Sequence, residues 1–363
     1  MRVALVHDWL INFGGAERVL QELAAMFPEA PIYVGVADPR RFPAWLEGRR
    51  VNATSVSRWP GAMRYYNRYL PFLAMAFEHF DFSQFDLVIS SSAAVAKGVV
   101  TGANTRHLAY VHTPMRYAWD FYHQYREREA RGITRRLMGP VFHYLRLWDR
   151  AVADRVDLMV ANSWTVRERI LKHYRRPARV IYPPVDVDRF QPEPVEDFYL
   201  VLSRLVPYKR VDLAIQAANR LGFHLVVAGS GPDLRRLRRL AGPTVQFLGR
   251  VDAETRSRLM ARAQALIFPG EEDFGIVPVE MQAAGRPVLA LGRGGALETV
   301  VEGVSGLFFS EPELDHLIDA IERFQRHAWD PQAIRQNALR FGPERFRAQM
   351  ERAVQDCLAG RRL

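Results

Sequence analysis

The order of the apolar segments constrains this chain more than any other feature. Short apolar runs recur at 3–7, 32–36, 87–90, 108–112, 158–161 and 180–182, and again at 199–203, 225–228, 245–248, 265–268, 288–291 and 306–309. Helix-length patterns separate most of them. Strands that are apolar on both faces and alternate with helices form parallel sheets covered by helices. Two such series predict an α/β chain of two doubly wound domains, and 363 residues suit two cores better than one. Between the series lies YPPVDVDRFQPEPVEDF (182–198), whose four prolines suit neither a helix interior nor a central strand. The predicted division is a domain over 1–182, a linker over 183–197, a domain over 198–342 and a final helical segment over 343–363. Ligands of open α/β sheets bind beyond the carboxyl ends of the strands, so a cleft between two such domains is the expected site.

Charge is unevenly placed. Residues 1–180 hold 26 Lys and Arg against 16 Asp and Glu, whereas residues 181–363 hold 24 of each. The whole formal charge of +10 therefore sits in the first half. That asymmetry suits a polyanionic partner such as an anionic membrane, a lipid phosphate or a nucleic acid. An arginine-biased composition explains it equally simply, for Lys97, Lys172 and Lys209 are the only lysines. No nucleic-acid-binding module accompanies the charge, so no nucleic acid is expected. The single cysteine, Cys357, rules out an internal disulfide and fits a reducing cytoplasm. The opening MRVALVHDWL reads as a strand and not a leader, and no apolar run reaches membrane-spanning length.

Several motifs fall at strand ends. Gly14 and Gly15 follow the first strand and start an amphipathic helix, where backbone amides favour a phosphate. Arg204 and Lys209 follow the first strand of the second series, as a cationic clamp for a diphosphate would. Solvated charge is the plainer reading of both. The AGSGPDL stretch (228–234) begins like a dinucleotide fingerprint but lacks its third glycine and lies on the second strand of its series, against a dehydrogenase. EEDFGIVPVE (271–280) sets Glu272 on a loop and Glu280 in the first two turns of a helix. Five helical residues rise about 8 Å, so the carboxylates address different points on one ligand; a glycosidase pair tolerates a similar separation. Asp186 and Asp188 match a metal–diphosphate signature but sit in the proline-rich segment, and no cluster has metal-ligand spacing, so no metal is expected. His112 ends a strand ahead of Arg116, Tyr117, Trp119, Tyr122 and Tyr125, a mixture suited to sugars, lipid phosphates or a plain aromatic interior. RWPGAMRYYNRYLPFLAMAF (58–77) adds basic and aromatic residues that could lie on anionic lipid.

Taken in order, GGAER, HTP, ANSWTVRERI, YPPVDVDRF, SRLVPYKRVD, FLGRVD and FPGEEDFGIVPVEMQAAGRPVLA resemble the retaining glycosyltransferases of family 4, which have the GT-B fold of two facing Rossmann-like domains. The resemblance runs from Val3 to about Phe341, and the Glu-x7-Glu stretch is its most specific part. Asp273 stands where the family usually has glycine. The resemblance implies that Gly15 meets the donor phosphate, that Arg204 and Lys209 bind the diphosphate, that Glu272 holds the donor sugar and that Glu280 holds the ribose. It counts Phe274, Gly275 and Ile276 among the donor-binding residues as well. His112 reaches the transferred sugar, while Asp8 and Arg116 lie on the acceptor side. VHTPMRYAWD looks most like bacterial GDP-mannose-dependent mannosyltransferases of O-antigen and exopolysaccharide assembly.

The expected activity is therefore retaining transfer of a hexose, mannose from GDP-mannose first, to a glycan or lipid-linked acceptor. It needs no cofactor and no catalytic metal, and takes place in the cytoplasm or at the inner face of the plasma membrane. In this fold the final helix often crosses back to the N-terminal domain. A UDP-sugar-dependent transferase or a sugar-nucleotide epimerase on the same fold is the alternative, and a basic nucleic-acid- or membrane-binding protein a more distant one.

Overall fold

The computed structural model describes residues 1–120, 122–123 and 133–361. Tyr125 lies outside the described residues. The chain divides into two compact units, Met1–Pro183 with Phe346–Leu363, and Pro184–Arg345.

The first unit holds a parallel sheet of β1 (Val3–Leu10), β2 (Ile32–Ala37), β3 (Val51–Ala53), β4 (Leu87–Ser92), β5 (Arg106–Val111), β6 (Leu158–Ala161) and β7 (Arg179–Val180). Their order across the sheet is β3-β2-β1-β4-β5-β6-β7. The second unit holds β8 (Tyr199–Leu202), β9 (Leu225–Ala228), β10 (Val245–Gly249), β11 (Leu266–Phe268), β12 (Val288–Leu291) and β13 (Gly306–Phe309), ordered β10-β9-β8-β11-β12-β13. Counted within its own unit, each sheet contains the 3-2-1-4-5-6 order of a doubly wound Rossmann-like fold. The order reverses between β1 and β4 in the first unit and between β8 and β11 in the second.

Burial explains why the apolar runs were legible. β2, β4 and β6 are buried throughout, as are β9, β11 and β12. The sequence reading omits β3, a three-residue edge strand with no fully buried position, which therefore carries no apolar run. It also ends β1 at residue 7, whereas the strand continues to Leu10 and pairs Trp9 with Val36.

Residues 183–197, read as a linker, are integral to the second unit from Pro184 onward. Val185 N–H donates to the Phe341 carbonyl at 2.9 Å, and Val185, Val187 and Phe190 are buried. Arg335 donates to the carbonyls of Phe190 and Ala283. The prolines thus prevent regular structure without preventing packing. The helix Pro343–Leu358 belongs to the first unit from Phe346 on. Its Phe346, Met350, Ala353, Val354 and Cys357 join the core formed with Leu5, Leu20 and Tyr110, and Phe346 meets Tyr110 edge-on at 5.8 Å. Burying one such aromatic side chain contributes about 1.5–3 kcal/mol.

Candidate active site

In the second unit, β8 and β11 end side by side at the reversal of strand order, where open α/β sheets leave a crevice. After β8 the chain makes a turn at Pro207–Lys209 and enters the helix Val211–Leu221. After β11 it forms the acidic loop and enters the helix Ile276–Ala283. Gly275, at φ 88°, occupies the left-handed region that a side chain disfavours, and starts that helix. Three other glycines bring backbones together: a methyl group on Gly270 would crowd the Lys209 backbone, and one on Gly294 or Gly295 would strike the backbone of Glu272 or Phe274. Gly295 N–H also donates to the Glu272 carbonyl at 2.8 Å. The acidic loop is therefore clamped between the β8 turn and the glycine turn after β12.

Lys209 and Glu272, assigned separate ligands from sequence, form an ion pair with each other. Lys209 Nζ also lies 5.3 Å from the Tyr208 ring centre. The Arg204 side chain is exposed and makes no ion pair among the described residues. Phe274 is buried and meets Phe341 edge-on at 5.4 Å, so it anchors the loop through the core. Ile276 is half-buried at the helix start. The Glu280 side chain is wholly buried and paired with Arg256, on the helix Ala253–Arg262. Sequence reasoning missed Arg256; its only signal was a helix capped by Asp252, directly after FLGRV. Gly229 and Gly231 of the fingerprint-like stretch let the loop after β9 press on the Ser203 and Leu205 carbonyls, which gives both glycines a packing role.

In the first unit the reversal between β1 and β4 gathers a second set. Asp8 is 2% exposed, and its carboxylate is engaged with the loop after β4. Oδ2 accepts from the N–H groups of Ala93 (2.6 Å) and Ala94 (3.0 Å), and Oδ1 from those of Val95 and Ala96 (both 2.7 Å). The carboxylate expected on the acceptor side thus holds two amides with each oxygen and anchors this loop. Beneath the same loop, buried Lys97 binds Asp149 at 2.5 Å, and Asp149 also accepts from Trp119 Nε1 and the Tyr174 hydroxyl, both at 2.8 Å.

Gly15 is the first residue of the helix Gly15–Met26, and Gly14 N–H donates to Glu17 Oε2 at 2.7 Å. His112 follows β5, with Nε2 2.8 Å from Ser91 Oγ. Burial, followed by the neighbouring His7, pushes its pKa down to about 3, so the ring is neutral at physiological pH. Arg116 is half-buried. It helps hold the Asp120 carboxyl below its ordinary pKa, after the His173 hydrogen bond and Arg169. Of the aromatic residues nearby, Trp119 stacks on His173 at 4.6 Å, and Tyr117 and Tyr122 pack on Phe142. These rings serve the interior of the unit. Sequence reasoning also missed His7, Ser91 and Glu17; the Gly-x-x-Glu spacing of a helix start was the one clue to Glu17.

Comparison with known proteins speaks to the family and the fold. The family profile described as "Glycosyl transferases group 1" matches residues 186–341, and that described as "Glycosyltransferase Family 4" matches residues 13–189. A D-inositol 3-phosphate glycosyltransferase of Mycolicibacterium paratuberculosis is 32% identical over 200 residues, which cover 48% of this chain and 45% of the relative. A GDP-mannose-dependent alpha-(1-6)-phosphatidylinositol monomannoside mannosyltransferase of Mycobacterium tuberculosis is 32% identical over 205 residues, 47% of this chain and 53% of the relative. The chain thus spans about half the length of the curated relatives it matches. Among solved structures, Anabaena HepE in complex with UDP and glucose has a TM-score of 0.73 at 19% identity, covering 98% of this chain and 99% of that one. Sucrose-phosphate synthase from Thermosynechococcus elongatus has a TM-score of 0.75 at 19% identity, covering 99% and 100%. Those two likenesses concern the fold, which is the GT-B arrangement of two Rossmann-like units. With its two profiles meeting near residue 186 and running together from residue 13 to residue 341, the chain belongs to glycosyltransferase family 4.

Proposed function

We propose that this chain transfers a hexosyl group, mannosyl from GDP-mannose in the first place, to a glycan or lipid-linked acceptor with retention of anomeric configuration. The observation that carries this reading is the pairing of Lys209 with Glu272 at the β8/β11 reversal, where the exposed Arg204 also follows β8, in a chain of this family. Arg204 and Lys209 bind the donor diphosphate and stabilise the charge that develops on it as it leaves. Lys209 exchanges its Glu272 partner for phosphate oxygens, which frees the Glu272 carboxylate for the sugar hydroxyls. Glu280, oriented by Arg256, takes the ribose, and Gly15 offers its amide to phosphate. The acceptor hydroxyl attacks on the face the diphosphate leaves and gives its proton to the departing phosphate oxygen, without a protein nucleophile or a metal. The mannose preference rests on the mycobacterial mannosyltransferase relative and on the VHTPMRYAWD segment.

The acceptor side is proposed to meet an anionic membrane. From Gly48 to Phe77 the chain has five arginines and no acidic residue, and Trp59, Tyr65, Phe72 and Met75 are exposed there beside Arg58, Arg64 and Arg68. Exposed aromatics among cations suit a headgroup layer. Among the described residues no helix is long and apolar enough to cross a membrane.

The test is transfer by the purified full chain from GDP-mannose or UDP-hexoses to polyprenyl-diphosphate-linked glycans or phosphatidylinositol, with and without a chelator. Mannose transfer that survives the chelator and gives an α-mannoside is expected. Transfer from UDP-sugars alone overturns the donor assignment, and an absolute metal requirement overturns the metal-free mechanism. Conversion of the sugar nucleotide without acceptor points instead to an epimerase. Co-sedimentation with vesicles containing phosphatidylglycerol, but not with phosphatidylcholine alone, checks the membrane surface.

A further inference from the structure

Behind His112 stands a row of buried side chains from three elements of the first unit. The parallel register sets His7 of β1 beside Ser91 of β4. His7 Nδ1 lies 3.1 Å from the Ser91 backbone oxygen and 3.1 Å from Ser91 Oγ. Ser91 Oγ lies 2.8 Å from His112 Nε2. At the other end, His7 Nε2 is 3.6 Å from Glu17 Oε1, and Glu17 Oε2 accepts the Gly14 N–H. His7 and Ser91 are 2% and 0% exposed.

Donor and acceptor counting decides where the protons are. A backbone carbonyl only accepts, so His7 Nδ1, in contact with one, carries a proton. Ser91 Oγ shares that proton as a second acceptor. Among the described residues, its own hydroxyl proton then has a single acceptor within reach, the Nε2 of His112. If His112 Nε2 donated instead, the Ser91 hydroxyl proton would be buried with no acceptor, an arrangement that native structures avoid. Hence Ser91 donates to Nε2, and the other nitrogen of His112 bears the ring proton, since the hydrogen bond at one imidazole nitrogen sets the state of the other.

We propose that His7 and Ser91 are positioning residues that hold His112 as the neutral Nδ1–H tautomer, so that it serves substrate as a hydrogen-bond donor and not as a base. Glu17 stands between this row and the Gly14–Gly15 turn: Oε2 accepts the Gly14 N–H, and Oε1 lies 3.6 Å from His7 Nε2, a contact that attracts when His7 carries both ring protons. The catalytic consequence rests on the glycosyl-transfer reading, in which His112 donates to an oxygen of the transferred sugar. The tautomer itself does not rest on it. Burial acts in the same direction, since it keeps the His112 ring uncharged.

The test has two arms. Long-range proton–nitrogen NMR correlations of full-length protein labelled with 15N in histidine report which His112 nitrogen is protonated, with assignment by comparison with His112→Gln. The expected result is a protonated Nδ1 and a bare Nε2; a protonated Nε2 overturns the proposal without any further variant. Ser91→Ala should move the signals toward the other tautomer. It should also lower kcat by about tenfold with little change in donor KM, the size of one well-placed hydrogen bond. Ser91→Thr, which keeps the hydroxyl, should restore both. An unchanged tautomer and kcat in Ser91→Ala overturn the positioning role. The Nδ1–H tautomer in a protein that transfers no sugar supports the relay and counts against the functional reading alone.

Discussion

Replacing Asp8 with alanine separates an anchoring carboxylate from a substrate-binding one. Its two oxygens accept four backbone N–H groups at 2.6–3.0 Å, from a residue 2% exposed. Charge-assisted bonds of this kind contribute about 1.5–3 kcal/mol each, so four would sum to roughly 6–12 kcal/mol if they were independent. They are not, because keeping a carboxylate out of water costs several kcal/mol and that cost disappears with the side chain. The expected net loss is about 3–5 kcal/mol, the usual size for breaking a buried charged cluster. For a unit of this length that lowers Tm by roughly 6–20 °C. Asp8→Asn keeps one oxygen and turns an NH2 toward two N–H donors, so it should fall between alanine and wild type. Thermal unfolding followed by tryptophan fluorescence measures the first effect, and steady-state transfer at a temperature where every variant is folded measures the second. A variant with wild-type Tm and no transfer would refute the anchoring argument and restore Asp8 to direct acceptor contact.

Lys209→Ala should raise the barrier to transfer by about 2–4 kcal/mol, read as a fall in kcat/KM, since it removes one electrostatic donor to the leaving phosphate; a change in thermal stability alone would make the Lys209–Glu272 pair structural. Glu272→Gln should lower kcat by more than it lowers stability, because the pair is only 12% and 23% exposed but the glutamine oxygen can still accept a hydrogen bond from Lys209; kcat and Tm measured side by side check this. Gly295→Ala places a methyl group on the Phe274 backbone and should displace the acidic loop, weakening donor binding measured by calorimetry more than it alters far-ultraviolet circular dichroism. His107, fully buried against Ser90, has its pKa pushed by burial from about 6.5 to about 4. The unfolded chain therefore binds a proton that the folded chain refuses: this stability is complete above pH 6.5 and is lost as pH falls toward 4. The loss is about 3 kcal/mol in all. Urea unfolding at pH 7 and pH 4.5 should show His107→Asn losing less stability on acidification than wild type.

The fold was legible because its cause is local and repeated. Strands such as β9 and β12 are buried on both faces, so each wrote an unbroken apolar run into the sequence. At β3, a three-residue edge strand of sequence VNA with no buried position, there was no such run to read. The segment after residue 183 misled for a related reason: proline density reports that regular hydrogen bonding stops, and it is silent on whether Val185, Val187 and Phe190 pack. Motif spacing likewise marked Arg204, Lys209, Glu272 and Glu280 as residues to watch, without their partners.

Sequence by itself determined the alternating pattern, the two-unit division and the strand-end residues that deserve a chemical role, since each depends on neighbours within one turn or one strand. Only the tertiary structure decided that Lys209 faces Glu272, that Arg256 faces Glu280, that Asp8 is engaged by four amides and that Ser91 stands between two histidines. These pairs lie 21 to 88 residues apart in the chain. What joins them is strand order and register, and a one-residue slip between β1 and β4 would turn His7 to the opposite face of the sheet from Ser91.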